Sequence, residues 1–409
     1  PHHRSSMNYL TPDIQLGYIA TTSMPVAKFQ SAVKPTLIAG TARSILGIKN
    51  AYGPPRAAIQ KKWEPRNTFL NSVGAPSFGF THEELDKAAR CHRKTLFKVL
   101  NAEQRSQIRV LSDIEAVSGV AGLAYVDRIP TNTSMGFPLK QPKRKYIVAV
   151  DEEVPGVVEP ITFTQEIWDE VEKAKSVYRR GERCNFIFSA ALKDEVKNSE
   201  SKKTRMFQCA PAPLAILTRK YYLTVIAFLS RVPIESECCV GTNATGPDWD
   251  RLVRHLIKHG KDRLFAGDYA AYDQKMNPAV MLRAFQLLID IAQVCGFTDD
   301  DIIIMRGIMA DIVYFVCELD GDLVEFFGCN ASGHNLTTHI NCIANSLYLR
   351  CEFYRIYPSI EAGEFQKYVS LLTYGDDNVV GVSPSCPRFN HTTVQEGLAV
   401  RGITYTMPD

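Results

Sequence analysis

The chain has 409 residues, 45% hydrophobic and 22% charged, which excludes a disordered, collagenous or coiled-coil protein and leaves room for roughly two to three structural units. Lys and Arg number 47 against 44 Asp and Glu, a net charge of +3, so charge matters here only through its local distribution. Eleven cysteines, an odd number without a C-x-x-C pair, argue against a disulfide framework and fit reduced thiols in an intracellular compartment.

The first residues, Pro1 to Met7 with His2 and His3, read as a cleavage product or tag remnant rather than a signal sequence. Up to about residue 80, Pro12, Pro25, Pro35, Pro54, Pro55, Pro65 and Pro76 break helical continuity and predict a long, irregular, extended arm. Thr81 with Glu84 three residues on forms a capping box and predicts a helix to about Leu100. From Arg179 to Arg205 the chain carries eight basic against four acidic residues, the charge a phosphate-handling channel needs, although a solvated loop has the same signature. No apolar run reaches the roughly 18 residues that span a bilayer. Arg219 with Lys220, and Arg306, interrupt the longest candidates.

His255 and His259, four apart downstream of Cys238 and Cys239, superficially suggest zinc. The adjacent cysteines lack the usual ligand spacing, and Leu252, Leu256 and Ile257 fit an amphipathic helix instead. A short strand over Arg263 to Gly267 is followed by Asp268, and Asn277-Pro278 opens a helix through Leu288. Asp299, Asp300 and Asp301 complement the dipole of a following helix. Two hairpins are legible, one at Val313 to Phe327 turning at Asp320-Gly321, the other at Val369 to Val382 with Gly375, Asp376 and Asp377 at its tip. Short strands among long helices argue an α+β or mixed α/β fold.

Asp376 and Asp377 sit on an otherwise apolar hairpin, and adjacent carboxylates there suggest a divalent cation that offsets their repulsion. If the Asp268 strand neighbours that hairpin, Asp268 and Asp376 could bind two Mg²⁺ ions roughly 3.5–4 Å apart, a geometry suited to in-line phosphoryl transfer. Thr337 and Asn341, four apart on a predicted helix after the Ser332-Gly333 loop, share one face and could read a sugar; Ser332 could equally be a simple cap.

In this order, Asp268-x4-Asp273, then Ser332-Gly333-x3-Thr337-x3-Asn341, then Tyr374-Gly375-Asp376-Asp377 resemble motifs A, B and C of viral RNA-dependent RNA polymerases of the picornavirus-like, positive-strand group. Lys193-Asp194-Glu195 with Lys202, Lys203 and Arg205 resembles motif F, Thr133 to Pro138 resembles motif G, and Val240-Gly241 with Gly246, Pro247 and Trp249 is similar to the segment before motif A. The likeness runs from about residue 130 onward.

The resemblance implies an α+β right-hand polymerase fold: fingers with the extended arm at 1–222, palm at 223–310, a fingers insertion hairpin at 311–331, and palm again at 332–409. Its palm would be an antiparallel sheet backed by helices. Residues 402–409 resemble the approach to motif D, so the motif D lysine, motif E and the thumb would be missing from this chain. Asp268, Asp376 and Asp377 would be catalytic and hold Mg²⁺, with Mn²⁺ as a substitute. Asp273, Ser332, Gly333, Thr337 and Asn341 would bind the ribose and nucleotide; Lys193, Arg205 and Lys202 or Lys203 would grip the triphosphate; Thr133, Ser134, Gly136 and Pro138 would touch the template.

The implied partners are RNA template, nascent RNA, NTPs, other viral replication proteins and a protein primer. The chain would be cut from a polyprotein and work in membrane-associated replication complexes of the host cytoplasm, without a transmembrane segment of its own. A reverse transcriptase would share the carboxylates but lack the Asp273 and Asn341 pair. A catalytically inert RNA-binding fragment of such a polymerase is the alternative from another class.

Overall fold

The computed structural model describes residues 6–11, 13–22, 30–48, 50–55, 64–198 and 204–407, so Lys202 and Lys203 lie outside the described residues. The predicted irregular arm is more ordered than its prolines imply. Leu16–Thr21 forms strand β1, and helices cover Ala39–Leu46 and Glu64–Val73. Pro65 lies in the first turn of the latter helix, where its missing N–H has no intrahelical partner to lose. The capping box at Thr81 and Glu84 starts helix α1 (His82–Val99) as the pattern predicts.

Helix α2 (Gln165–Arg179) precedes strands β2 (Ile187–Leu192) and β3 (Met206–Cys209) and helix α3 (Ala212–Arg231). By length and composition α3 could cross a membrane, contrary to the reading that Arg219 and Lys220 rule this out. It is instead a core helix, with 89% of its apolar stretch buried. Arg219 is accommodated by donating to the carbonyls of Ala116 and Asp127, and Lys220 by pairing with Asp113.

Strand β4 (Leu264–Tyr269) leads to helices α4 (Pro278–Val294) and α5 (Asp299–Val313). Helix α4 outruns its predicted end because Leu288, Ile289, Ile291 and Ala292 continue its buried face before Gly296. The first hairpin forms strands β5 (Val316–Leu319) and β6 (Asp322–Phe326) around Asp320-Gly321. Helix α6 (Thr337–Ile356), strands β7 (Val369–Tyr374) and β8 (Asp377–Val382), helix α7 (His391–Val400) and strand β9 (Tyr405–Thr406) complete the order.

Two sheets organise these elements. The five-stranded sheet runs β1-β6-β5-β2-β3, antiparallel except where β2 meets β5, so the arm's strand is sealed onto the hairpin's far edge. The four-stranded sheet runs β7-β8-β4-β9 and is antiparallel throughout. Helices α1, α3, α4, α5 and α6 build the core, with Tyr222 of α3 edge-on to Phe285 of α4, ring centroids 5.8 Å apart. Fully burying an aromatic or branched side chain of this size contributes about 1.5–3 kcal/mol. Helix α6 packs on β7 and is buried almost all round, which makes it the fixed frame for the neighbouring sheet end.

The basic segment from Arg179 to Arg205 divides. Arg179 pairs with Asp300 at 2.7 Å and Arg183 with Glu325 at 3.0 Å, which ties them to other elements, while Arg180 pairs locally with Glu182 at 3.0 Å. Lys193 and Arg205 flank the open end of the β2-β3 pair.

Candidate active site

Strand β8 lies between β7 and β4, with Asn378 opposite Gly267. One residue further, that register brings Asp377 and Asp268 to the same end of the sheet. Tyr374 pairs with Asp377, leaving Gly375 and Asp376 as the two-residue turn, so Asp377 is the first residue of β8 rather than part of the tip. Gly375 has φ +66°, a left-handed value that a glycine adopts without strain. Val369 and Thr373 in β7 and Val379, Val380 and Val382 in β8 favour extended backbone, glycine makes the turn, and register does the rest.

The three carboxylates feel one another. Burial, followed by the negative charges of Asp273, Asp377 and Asp268, pushes the Asp376 carboxyl up to about 6. Burial and then Asp268 raise that of Asp377. Among the described residues none of the three has an ion-pair partner, and no group of three or more His, Cys, Asp or Glu is drawn together closely enough to share a metal ion. Like charges at one sheet end repel one another, and hard carboxylate oxygens are the donors that Mg²⁺ and Mn²⁺ take. The donor chemistry and the uncompensated charge both fit such ions. The His255 and His259 pair joins no such group among the described residues.

After β4 the chain bends through Ala271, at φ +54°, into a short helix, Tyr272–Lys275. This turn aims Asp273 at α6, where the Asn341 amide donates to Asp273 Oδ1 at 3.0 Å. The Tyr272 hydroxyl donates to the Asn341 carbonyl at 3.0 Å and holds the two elements together. Burial raises the Asp273 carboxyl above its ordinary value, while the Asn341 bond pulls the other way.

Ser332 is not a helix cap: α6 begins at Thr337, and Ser332 is exposed on the preceding loop. Thr337 instead closes that loop by donating to the Ala331 carbonyl at 2.7 Å. Gly333 sits against β3, where an added Cβ would lie 2.2 Å from the Gln208 carbonyl oxygen. This close approach brings Ser332, Asp273, Lys193 and Arg205 onto one cavity of about 240 Å³, floored by Phe69, Phe207 and Cys329. Lys193 and Arg205 share Glu195, at 3.5 and 3.9 Å, and both side chains remain substantially exposed.

Thr133, Ser134, Gly136 and Pro138 lie together on a loop that ends against the start of α3, where the Ala212 N–H donates to the Met135 carbonyl at 2.8 Å. Thr133 and Ser134 are exposed, and the buried Lys143 ammonium supports them from below, donating to Thr133 Oγ1 at 2.6 Å and the Ser134 carbonyl at 2.8 Å. Sequence reasoning missed Asn330. Fully buried, it donates to Asn341 Oδ1 at 2.8 Å and to the Thr337 carbonyl at 3.1 Å, and its Oδ1 meets His334 Nε2 at 2.8 Å. Its only sequence signal is an asparagine in an otherwise apolar and small-residue run before the loop.

The carboxylate-bearing sheet end thus lies beside a basic cavity and a buried amide–carboxylate pair. Residues 79–409 match the family model of viral RNA-dependent RNA polymerases, and the chain belongs to that family. It is 25% identical to the replicase polyprotein of Drosophila C virus over 422 residues, covering 95% of this chain and 24% of that one. It is 27% identical to the genome polyprotein of Deformed wing virus, covering 97% of this chain and 14% of that one, and 27% identical to the RNA1 polyprotein of Cowpea mosaic virus, covering 71% and 16%. The chain thus spans about a quarter or less of these relatives' own length. The solved Sicinivirus 3Dpol RNA dependent RNA polymerase shares the fold with a TM-score of 0.72 at 16% identity, over 97% of this chain and 77% of that chain. The architecture is therefore that of the right-hand viral polymerases, mixed α and β with an antiparallel sheet carrying the carboxylates.

Proposed function

We propose that this chain carries the catalytic core for template-directed RNA synthesis from ribonucleoside triphosphates, in the replication of a positive-strand RNA virus. The observation that carries the reading is the meeting of Asp268, Asp376 and Asp377 at one sheet end, next to the Asp273–Asn341 bond. Asp268 and Asp376, assisted by Asp377, would hold two divalent ions, Mg²⁺ or Mn²⁺. When bound, such ions lower the pKa of an attacking hydroxyl and offset charge on a leaving pyrophosphate.

The chain's own groups supply the rest. Lys193 and Arg205 bring positive charge to the cavity wall where a triphosphate would lie, and Asp273 with Asn341 presents a paired acceptor and amide to the ribose 2′-OH. A site built around a hydroxyl discriminates against a substrate lacking it, because its polar groups are then left unpaired. Thr133 and Ser134, held up by Lys143, offer hydroxyls to a template backbone without reading its bases. In this reading the four-stranded sheet with α6 is the palm, and the five-stranded sheet, including the β5-β6 hairpin, belongs to the fingers. That the relatives are polyproteins supports a chain released from a longer viral product, working with other viral replication proteins.

The test is primer extension on a homopolymeric RNA template with Mg²⁺, using this chain, a version extended through the expected thumb, and Asp376→Asn in each. Incorporation by either version that Asp376→Asn abolishes supports the reading. Salt-dependent RNA binding with no incorporation by any version would replace it with an inert RNA-binding fragment.

A further inference from the structure

Asn345 lies one helical turn beyond Asn341 on α6 and is fully buried. Its amide nitrogen faces three backbone carbonyls: Gly375 at 3.2 Å, Asp376 at 2.8 Å and Asp377 at 3.3 Å. Carbonyls only accept, so the amide's orientation is set by its partners. On the other side, Asn345 Oδ1 accepts from the Tyr269 hydroxyl at 3.0 Å and from Asn378 Nδ2 at 3.3 Å. Tyr269 directly follows Asp268, and its own backbone N–H donates to Asp268 Oδ1 at 2.7 Å. Beside Asn345, the Cys342 sulfur accepts from the Gly375 N–H at 3.1 Å, and the Tyr405 hydroxyl completes the Asn378 amide at 2.7 Å.

One side chain therefore bonds the backbone of the turn carrying Asp376 and Asp377, and the residue adjoining Asp268, from the helix that also presents Asn341. The turn needs such a tie. Its carboxylates repel one another, and a two-residue hairpin loop alone does not fix its tilt relative to a neighbouring strand's end. Burial makes the tie specific: replacing the amide with an apolar group takes a donor from the buried Gly375 carbonyl and from the partly buried carbonyls of Asp376 and Asp377, and an acceptor from the buried Tyr269 hydroxyl.

We propose that Asn345 is a positioning residue that sets the spacing of Asp376 and Asp377 from Asp268, and with it the affinity of the site for divalent cations. The proposal rests on the catalytic reading above and extends it to a residue that touches neither nucleotide nor ion. Groups of this kind around carboxylate and metal sites change metal affinity or activity by about 10- to 100-fold when removed.

The experiment measures Mn²⁺ binding by electron paramagnetic resonance, alongside kcat and KM for NTP. It uses the wild-type chain, Asn345→Leu, Tyr269→Phe, Asp376→Asn and Ser230→Ala. Ser230→Ala is the control, since its hydroxyl meets His339 on the same helix at 3.1 Å and reaches no part of the turn. Tyr269→Phe removes a single bond to Asn345 and keeps the aromatic packing, so the proposal stays testable if Asn345→Leu does not fold.

The expected result is Mn²⁺ affinity lowered about 10- to 100-fold in Asn345→Leu and by a smaller factor in Tyr269→Phe, with kcat following and KM for NTP within about threefold of wild type. Ser230→Ala is expected to match wild type. Unchanged Mn²⁺ affinity in Tyr269→Phe and in any folded Asn345→Leu, or an equal loss in Ser230→Ala, would overturn the positioning role while leaving the catalytic reading intact. A wild-type chain with no Mn²⁺ site sensitive to Asp376→Asn would overturn both.

Discussion

The Asn341 amide has its two contacts on opposite sides: it donates to Asp273 at 3.0 Å while its oxygen accepts from Asn330 at 2.8 Å. Asn341→Asp turns the first bond into a meeting of two carboxylates. The preference for NTP over dNTP is expected to fall about 10- to 100-fold, the worth of one hydrogen bond to a charged group. Competition between ATP and dATP in primer extension reads this, and an unchanged ratio would remove Asn341 from sugar recognition. Arg205→Ala should raise the KM for NTP about tenfold and leave kcat within about threefold, because it takes a cation from the cavity wall and no partner from Asp268, Asp376 or Asp377. An unchanged KM places Arg205 off the triphosphate. At this scale the sequence was most readable where spacing carries the meaning. Thr337 and Asn341 share a face by helical period, and the Tyr374 to Asp377 run announces itself. Asn330 and Asn345 did not stand out, since their partners lie on other elements and a buried amide in an apolar run has no local signature.

Among the elements, local rules were the reliable ones. The Thr81 and Glu84 box needs only four residues to be recognised and caps α1 as predicted, whereas β1 depends on a partner strand about three hundred residues away and read as irregular arm. Pro65 misled for a related reason: proline forbids a helix interior but not a first turn, and which applies depends on where the helix starts. The loop before α6 makes the same point through Gly333. Its carbonyl accepts from the Ala210 N–H at 3.1 Å, and an added Cβ would strike the Gln208 backbone rather than a yielding side chain. Gly333→Ala should lift the loop off β3, lower the urea-unfolding free energy by about 1–3 kcal/mol and raise the KM for NTP as Ser332 leaves the cavity. Wild-type stability and KM together would show that the loop absorbs the methyl group.

Taken whole, the molecule encloses histidines where protons are hard to accept. Burial pushes the imidazoles of His92 and His334 down to about 3 and that of His339 down to about 4. For His92, the Arg350 guanidinium adds to the effect. Because the folded values lie below the unfolded one, their contribution is complete above about pH 6.5 and is lost as the unfolded chain takes up protons on the way down to about pH 3–4. Each should cost about 1.4 kcal/mol per pH unit across that window. Urea midpoints at pH 7.5 and pH 5 are expected to differ clearly, with a smaller difference in His339→Gln; equal midpoints for the wild-type chain would contradict the buried neutral state. The sequence showed these histidines as residues but not as buried ones. Arg219 misled in the opposite direction, breaking an apolar run on paper while lying within the core on two carbonyls.

The seam between β1 and β6 also has a consequence in time. A ribosome exposes Leu16–Thr21 long before Asp322–Phe326 exists, and at about 5–20 residues per second the gap is roughly 15–60 s. Throughout that interval the first strand has no native edge to join, and the sheet closes only after residue 326 has emerged. The first strand of this sheet thus waits for a late one, and stalled chains ending before residue 322 should leave Leu16–Thr21 open to protease while chains long enough for residue 326 to clear the ribosome protect it.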